Sequence, residues 1–153
     1  MASVSDFDPA LLTWETPDFG WAELSSRKII WVELNSPARQ SIDAWMRVSE
    51  DIRRRWDAAL PLLIMIDASK GTFFPSSYTQ QRLLTLMKVR PELKTHSSLI
   101  LANNFTSHLI QTMLRVAQRD PKNIGTQVFF TLEAGVVALE KIAQQHTTSQ
   151  VKS

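Results

Sequence analysis

The sequence has no cysteine. Disulfides, a thiol nucleophile and thiolate metal ligands are therefore excluded, and the lack of thiols is compatible with the cytoplasmic location we expect. Glycine is scarce: there are four in 153 residues, never two within one short loop, so no Gly-rich phosphate cradle can form. No apolar run approaches the roughly 20 residues that a bilayer crossing takes, and no membrane span is expected. The opening MASVSDFDPALL lacks a basic segment followed by an apolar one, so no leader is expected either. Charge of one sign is also missing. With 17 basic and 15 acidic side chains the net charge is +2, which gives no reason to expect nucleic acid. The histidines, His96, His108 and His146, stand at no metal-ligand spacing from one another or from carboxylates. We expect no metal, no cofactor and no enzyme.

What is present is enough apolar residue for one core. Hydrophobic residues make up 44% of the chain, which suits a single domain of this length. We expect a flexible stretch over 1–10, the domain over 11–145 and a flexible polar tail over 146–153.

The chain is organised around PLLIMIDASKGTFFPSSYTQQRLLTL, residues 61–86. Leu62 to Ile66 is apolar at every position, the mark of a strand covered on both faces. Asp67 ends it, and a loop through Ser69, Lys70, Phe73 and Phe74 follows. Pro75 holds Phe74 extended. Ser77 and Gln80 have capping-box spacing, and Leu83, Leu84 and Met87 give the helix an apolar face.

The flanks alternate in the same way. Leu11 to Glu15 has the look of a short strand. Trp21–Leu24 and Lys28–Leu34 read as a hairpin. A helix is expected from Ser41, its N-cap, to Leu60, stopped by Pro61, with Ile42, Trp45, Ile52 and Trp56 on one face. Ser97–Ala102 is a further strand. Asn103 or Asn104 caps a helix carrying Leu109, Ile110, Met113 and Leu114. Asp120-Pro121 ends it, and Asn123–Gly125 makes a turn. A strand over Thr126–Phe130 then leads through Thr131, a cap, to a last helix burying Val136, Leu139 and Ile142. Strands alternating with helices predict an α/β domain: a mixed, mostly parallel sheet of about five strands with four helices.

Several residues invite a functional reading. Ser76 and Ser77 sit where free helix N–H groups and the helix dipole would hold a phosphate or another anion, although serine at such a position commonly just caps the helix. Asp67 lies at the C-terminal end of a strand, where α/β sheets place ligands, yet no catalytic partner is near it in sequence; a hydrogen bond within its loop is the plainer expectation. Phe73, Phe74 and Tyr78 could line an apolar pocket for a small ligand or lipid. Tryptophans 14, 21, 31, 45 and 56 are expected in the core. Arg53-Arg54-Arg55 fans around the helix axis and reads as a solvated helix end.

The run LIMIDASKGTFFPSSYTQQRLL, with SLILANNFTSHLIQTMLRVAQ and VFFTLEAGVVALEKI after it, resembles the STAS domain, the SpoIIAA-like fold of bacterial anti-anti-sigma factors. The resemblance covers roughly residues 21–145. It implies a non-enzymatic regulatory module that works by protein–protein contact in signalling. Ser76 falls where those factors carry a phosphorylated serine. The family's aspartate before that serine is Pro75 here, and its glycine after the serine pair is Tyr78. The implied partner surface is the loop 69–78 with the start of the following helix, extended by the next helix start at Asn104 to His108. The partner is a protein or a second copy of the chain.

Overall fold

The computed structural model describes residues 6–24, 28–71, 76–117 and 125–151. Its elements in chain order are β1 (Thr13–Thr16), β2 (Phe19–Leu24), β3 (Ile29–Leu34), α1 (Arg39–Arg55), β4 (Leu62–Asp67), α2 (Ser77–Met87), β5 (Thr95–Ile100), α3 (Phe105–Ala117), β6 (Thr126–Phe129) and α4 (Leu132–Val151). The fold is α/β. The strands form one sheet in the order β1-β2-β3-β4-β5-β6, antiparallel from β1 to β3 and parallel from β3 to β6.

Six strands stand where about five were expected. The sixth is the short strand read over Leu11–Glu15, which forms as β1 and joins the sheet at its antiparallel edge. Three of its four residues are exposed, and its register slips between Trp14 and Thr16, so no alternation marks it in the sequence.

The sheet separates two cores. Side chains alternate along each strand, so Ile30, Val32 and Leu34 of β3 face one side while Ile29 and Trp31 face the other. On the first side lie Ile42, Trp45 and Ile52 of α1, Leu83 and Leu86 of α2, and Ile110 and Leu114 of α3. On the second lie Val136 and Leu139 of α4, with Leu63, Met65 and Ile100 beneath them. Phe7 joins this second core. It is 5% exposed and meets the Trp31 ring edge-on at 5.4 Å, so the stretch before residue 11 is held at that point.

Several local expectations are revised. Helix α1 starts at Arg39 with Ala38 before it and no side-chain cap. Ser41 is buried instead, its hydroxyl 3.0 Å from that of Thr16, which also accepts the Asp18 and Phe19 N–H groups. The helix stops at Arg55, well before Pro61, because Trp56 takes extended backbone. Arg54 and Arg55 are exposed and pair with Glu50, Asp51 and Glu23, but Arg53 turns inward. Trp31, Trp45 and Trp56 are in the core, Trp21 is half-buried, and Trp14 is exposed, its indole lying where a Cβ on Gly20 would stand. The polar stretch after 145 continues α4 to Val151. The expected breaks at Ser25–Arg27 and Asp120-Pro121 lie outside the described residues.

Candidate functional site: the β4–α2 connection

Asp67 ends β4 and organises the turn after it. Its Oδ1 accepts the Ser69 N–H at 3.0 Å and the Ser69 hydroxyl at 2.6 Å. Lys70 then reaches back to β3, where its ammonium donates to Glu33 Oε1 at 2.6 Å. Glu33 is the register partner of Asp67 on the neighbouring strand, and its side chain is only 3% exposed. Asn35 Nδ2 donates to the same Oε1 at 3.3 Å. Glu33 Oε2 and Asn35 Oδ1 are buried and have no hydrogen-bond partner among the described residues. The hydrogen bond to Glu33 raises the Lys70 pKa above its ordinary value, and the charges of Glu33 and Asp67 add to the effect against desolvation.

Gly71 completes the clamp. A Cβ there would collide with the Asn35 carbonyl, so only glycine lets the loop pass this close to the residue after β3. The loop from Asp67 to Gly71 is thus bound to β3 through Lys70 and Glu33 and passes close against Asn35 just after it. Phe73 and Phe74 lie outside the described residues, as does Pro75.

Ser76, not Ser77, is the N-cap of α2: its Oγ accepts the Thr79 N–H at 3.2 Å and lies 3.1 Å from the Thr79 hydroxyl. Both serines are exposed. Tyr78 faces inward against α1. Its hydroxyl donates to the Asp43 carboxylate, and the Arg39 guanidinium sits 4.3 Å over its ring. Arg82 approaches the same Asp43 oxygen at 3.4 Å. The hydrogen bond to Asp43 raises the Tyr78 pKa, and Arg82 and Arg39 oppose the rise.

At the start of α3, Asn104 is the cap, its Oδ1 accepting the Ser107 N–H at 2.9 Å. His108 Nε2 is 2.8 Å from Asn103 Oδ1, and its ring lies 4.5 Å from that of Phe130. The structure therefore joins Asp67, Ser69 and Lys70 in one cluster and Tyr78 with α1 in another. No hydrogen bond among the described residues links Asn104 or His108 to either. Glu33, Asn35 and Asp43 are site residues that the sequence reading missed. Each acts on a segment more than thirty positions away, and no local spacing reveals it.

The strand order bears on what the site can do. Ligands in open α/β sheets bind where the strand order reverses. Here spatial order follows chain order throughout, and no reversal opens a crevice beside Asp67. An open hollow of about 410 Å³ lies over Glu15, Thr16, Gln40, Asp43, Ala44 and Arg47, so that it shares Asp43 with the Tyr78 cluster. All but Ala44 of its lining residues are polar, although polar and apolar atoms share its surface about evenly, and the Arg47–Glu15 ion pair at 3.3 Å belongs to it. Among the described residues no group of three or more His, Asp or Glu could hold a metal ion, and no helix is long and apolar enough to cross a membrane. Comparison with family models, curated proteins and solved structures finds no match for this chain.

Proposed function

We propose that the chain is a non-enzymatic protein-interaction module of the STAS type, with its recognition surface at the start of α2. One observation carries this reading. Ser76 and Ser77 are exposed at the helix start, and Tyr78 beside them is held on α1 by its hydrogen bond to Asp43. A pre-ordered, exposed helix start binds a partner without first spending entropy on its own ordering. Of the polar groups in the preceding loop, Asp67 is taken up by Ser69 and Lys70 by Glu33, as supports of that loop. The other reading, a pocket for a small ligand or lipid, leans on Phe73 and Phe74, which lie outside the described residues; Tyr78 is already engaged by Asp43 and Arg39.

The test uses quantitative affinity capture from the native cells, with the wild type and a Ser77→Arg variant. Ser77 is exposed and is not the cap, so the fold should tolerate the change. A protein captured stoichiometrically by the wild type and lost from the variant supports the proposal. An identical set of captured proteins refutes this surface. Mass spectrometry of the tryptic peptide GTFFPSSYTQQR from the same cells reads a phosphate on Ser76 directly.

A further inference from the structure

Glu33 carries a carboxylate that the fold buries and only half satisfies. Its side chain is 3% exposed. Oε1 accepts from the Lys70 ammonium and the Asn35 amide, while Oε2 has no partner among the described residues. Asn35 Oδ1 is in the same state. The two orphans belong together, because the bond from Asn35 Nδ2 to Glu33 Oε1 joins their parent groups. A buried acceptor without a donor is destabilising, and most of all when it belongs to a carboxylate.

A third acceptor stands beside them. Asp67 is the register partner of Glu33 in parallel strands, so both side chains leave the same face of the sheet at the same end of their strands. Asp67 gives Oδ1 to both Ser69 bonds, and no bond reaches its Oδ2 among the described residues.

The chemistry narrows what these oxygens can hold. All are acceptors only, so an anion is excluded and the occupant must bring positive charge or donors. Two carboxylates act on one ammonium, that of Lys70, which leaves an excess of negative charge. Glu33 Oε2 and Asn35 Oδ1 are closed to solvent, so a bulky ligand cannot reach both. A water would sit about 2.7–2.8 Å from each oxygen. Calcium sits at about 2.3–2.6 Å and so fits a narrower gap. Carboxylate and amide oxygens are ligands of the kind calcium takes, and calcium accepts an irregular set where magnesium demands near-ideal octahedral geometry. Only two of the three groups are acidic, so the set is distinct from clusters of three or more acidic or imidazole ligands, of which the described residues hold none.

We propose that Glu33 Oε2, Asn35 Oδ1 and Asp67 form a calcium site at the ends of β3 and β4, with Lys70 as a rival cation on its flank. The half-buried Asp67 side leaves further positions to water. So small a protein ligand set puts the affinity at the weak end for calcium, about 10⁻⁴–10⁻³ M. The site is independent of the recognition surface at the start of α2.

Calorimetric titration of the full chain with calcium chloride tests it. The wild type should bind one ion per chain in that range. Lys70→Met removes the rival ammonium and should bind at least about tenfold more tightly, because like charges a few ångströms apart repel strongly at a protein surface. Glu33→Gln should lose binding. A salt bridge that only supports the loop would give no calcium response in any of the three. If Glu33→Gln fails to fold by circular dichroism, terbium decides in its place. Terbium takes calcium sites and emits when a neighbouring indole absorbs, and Trp31 lies two positions before Glu33 on the same face of β3. Trp31→Phe should remove most of the sensitised emission while calorimetry still finds calcium bound. A wild type that binds no calcium up to about 10 mM, ten times the weak limit, overturns the proposal. So does a Lys70→Met affinity no tighter than that of the wild type, binding retained by a folded Glu33→Gln, or terbium emission indifferent to Trp31→Phe.

Discussion

Arg53 and Arg90 hold each other's main chain. Arg53 donates to the carbonyls of Val89 at 2.9 Å and Arg90 at 3.2 Å, and to the Thr95 hydroxyl at 2.9 Å. Arg90 donates to the carbonyls of Arg53, Arg54 and Trp56, which end α1, while its Nε meets Glu92 at 3.0 Å. Two guanidinium groups side by side would repel in isolation. Here the carbonyls at the negative end of α1 and the Glu92 carboxylate offset the repulsion. Arg90 takes a positive φ of 54° to make the contact.

Replacing Arg53 with Met should therefore lower stability by about 2–4 kcal/mol, since three partly buried acceptors lose their donor at once. Urea unfolding followed by tryptophan fluorescence should show a lower midpoint with an unchanged slope. Arg53→Lys should recover only part of the loss, because an ammonium cannot span three acceptors that a planar guanidinium reaches.

The Lys70–Glu33 pair sets a limit at high pH. The folded pKa of Lys70 is raised, so its contribution is present below the ordinary lysine value and is lost as pH climbs through the raised one. Tyr78, also raised, loses its contribution in the same direction. Stability measured by urea at increasing alkaline pH should fall in the wild type. It should fall less steeply in Lys70→Met and in Tyr78→Phe. At neutral pH, Lys70→Met should still cost about 1–3 kcal/mol, because Glu33 stays buried without its ammonium partner.

His96 sets the opposite limit. Burial lowers its pKa, and Lys94 lowers it further. The unfolded chain therefore takes up this proton first as pH falls through the ordinary value of 6.5, and stability declines below that point. His96→Gln should flatten the stability profile there. An unchanged acid slope in the variant would show that other groups carry the transition.

Two glycines should respond differently to alanine. At Gly71 the new Cβ would meet the Asn35 carbonyl oxygen and carbon, which are backbone and cannot step aside. At Gly135, within α4, the nearest atom is Cδ1 of Ile100 at 2.5 Å, the end of a side chain that can rotate. Gly71→Ala should cost about 1–3 kcal/mol or more. Gly135→Ala should cost less, since alanine gains about 1 kcal/mol of helix propensity over glycine against the crowding. Thermal melts of the two variants provide the comparison.

The α/β class and the order of helices and strands were legible from hydrophobic runs and their breaks, because those depend on neighbours in sequence. The missing pieces depend on distant partners. Ser41 has the residue type of a cap, but its hydroxyl goes to Thr16. Ser76 and Ser77 both have a hydroxyl or amide side chain three residues on, Thr79 and Gln80, and only the observed start of α2 chooses Ser76. Arg53 looks like its neighbours until Val89 and Thr95 are brought beside it. Phe7 stands among small polar residues, and the ring it meets, Trp31, lies on the far side of a hairpin. At the candidate site the loop residues were visible and their anchors, Glu33 and Asp43, were not.

Because spatial order follows chain order across all six strands, the sheet can be laid down in the sequence in which it is synthesised. Each strand that leaves the ribosome after the first finds its neighbour already present, and none must wait for a later segment to be inserted between them. The loops that close are only as long as one hairpin or one helical crossover, which keeps the entropy of closure low at every step. Helix α4, made after β6, seals the second core over strands that are already paired. Until it arrives, Leu63, Met65 and Ile100 lack its cover on the nascent chain, and the interval between the emergence of β6 and that of α4 is the one in which this sheet is most open to aggregation.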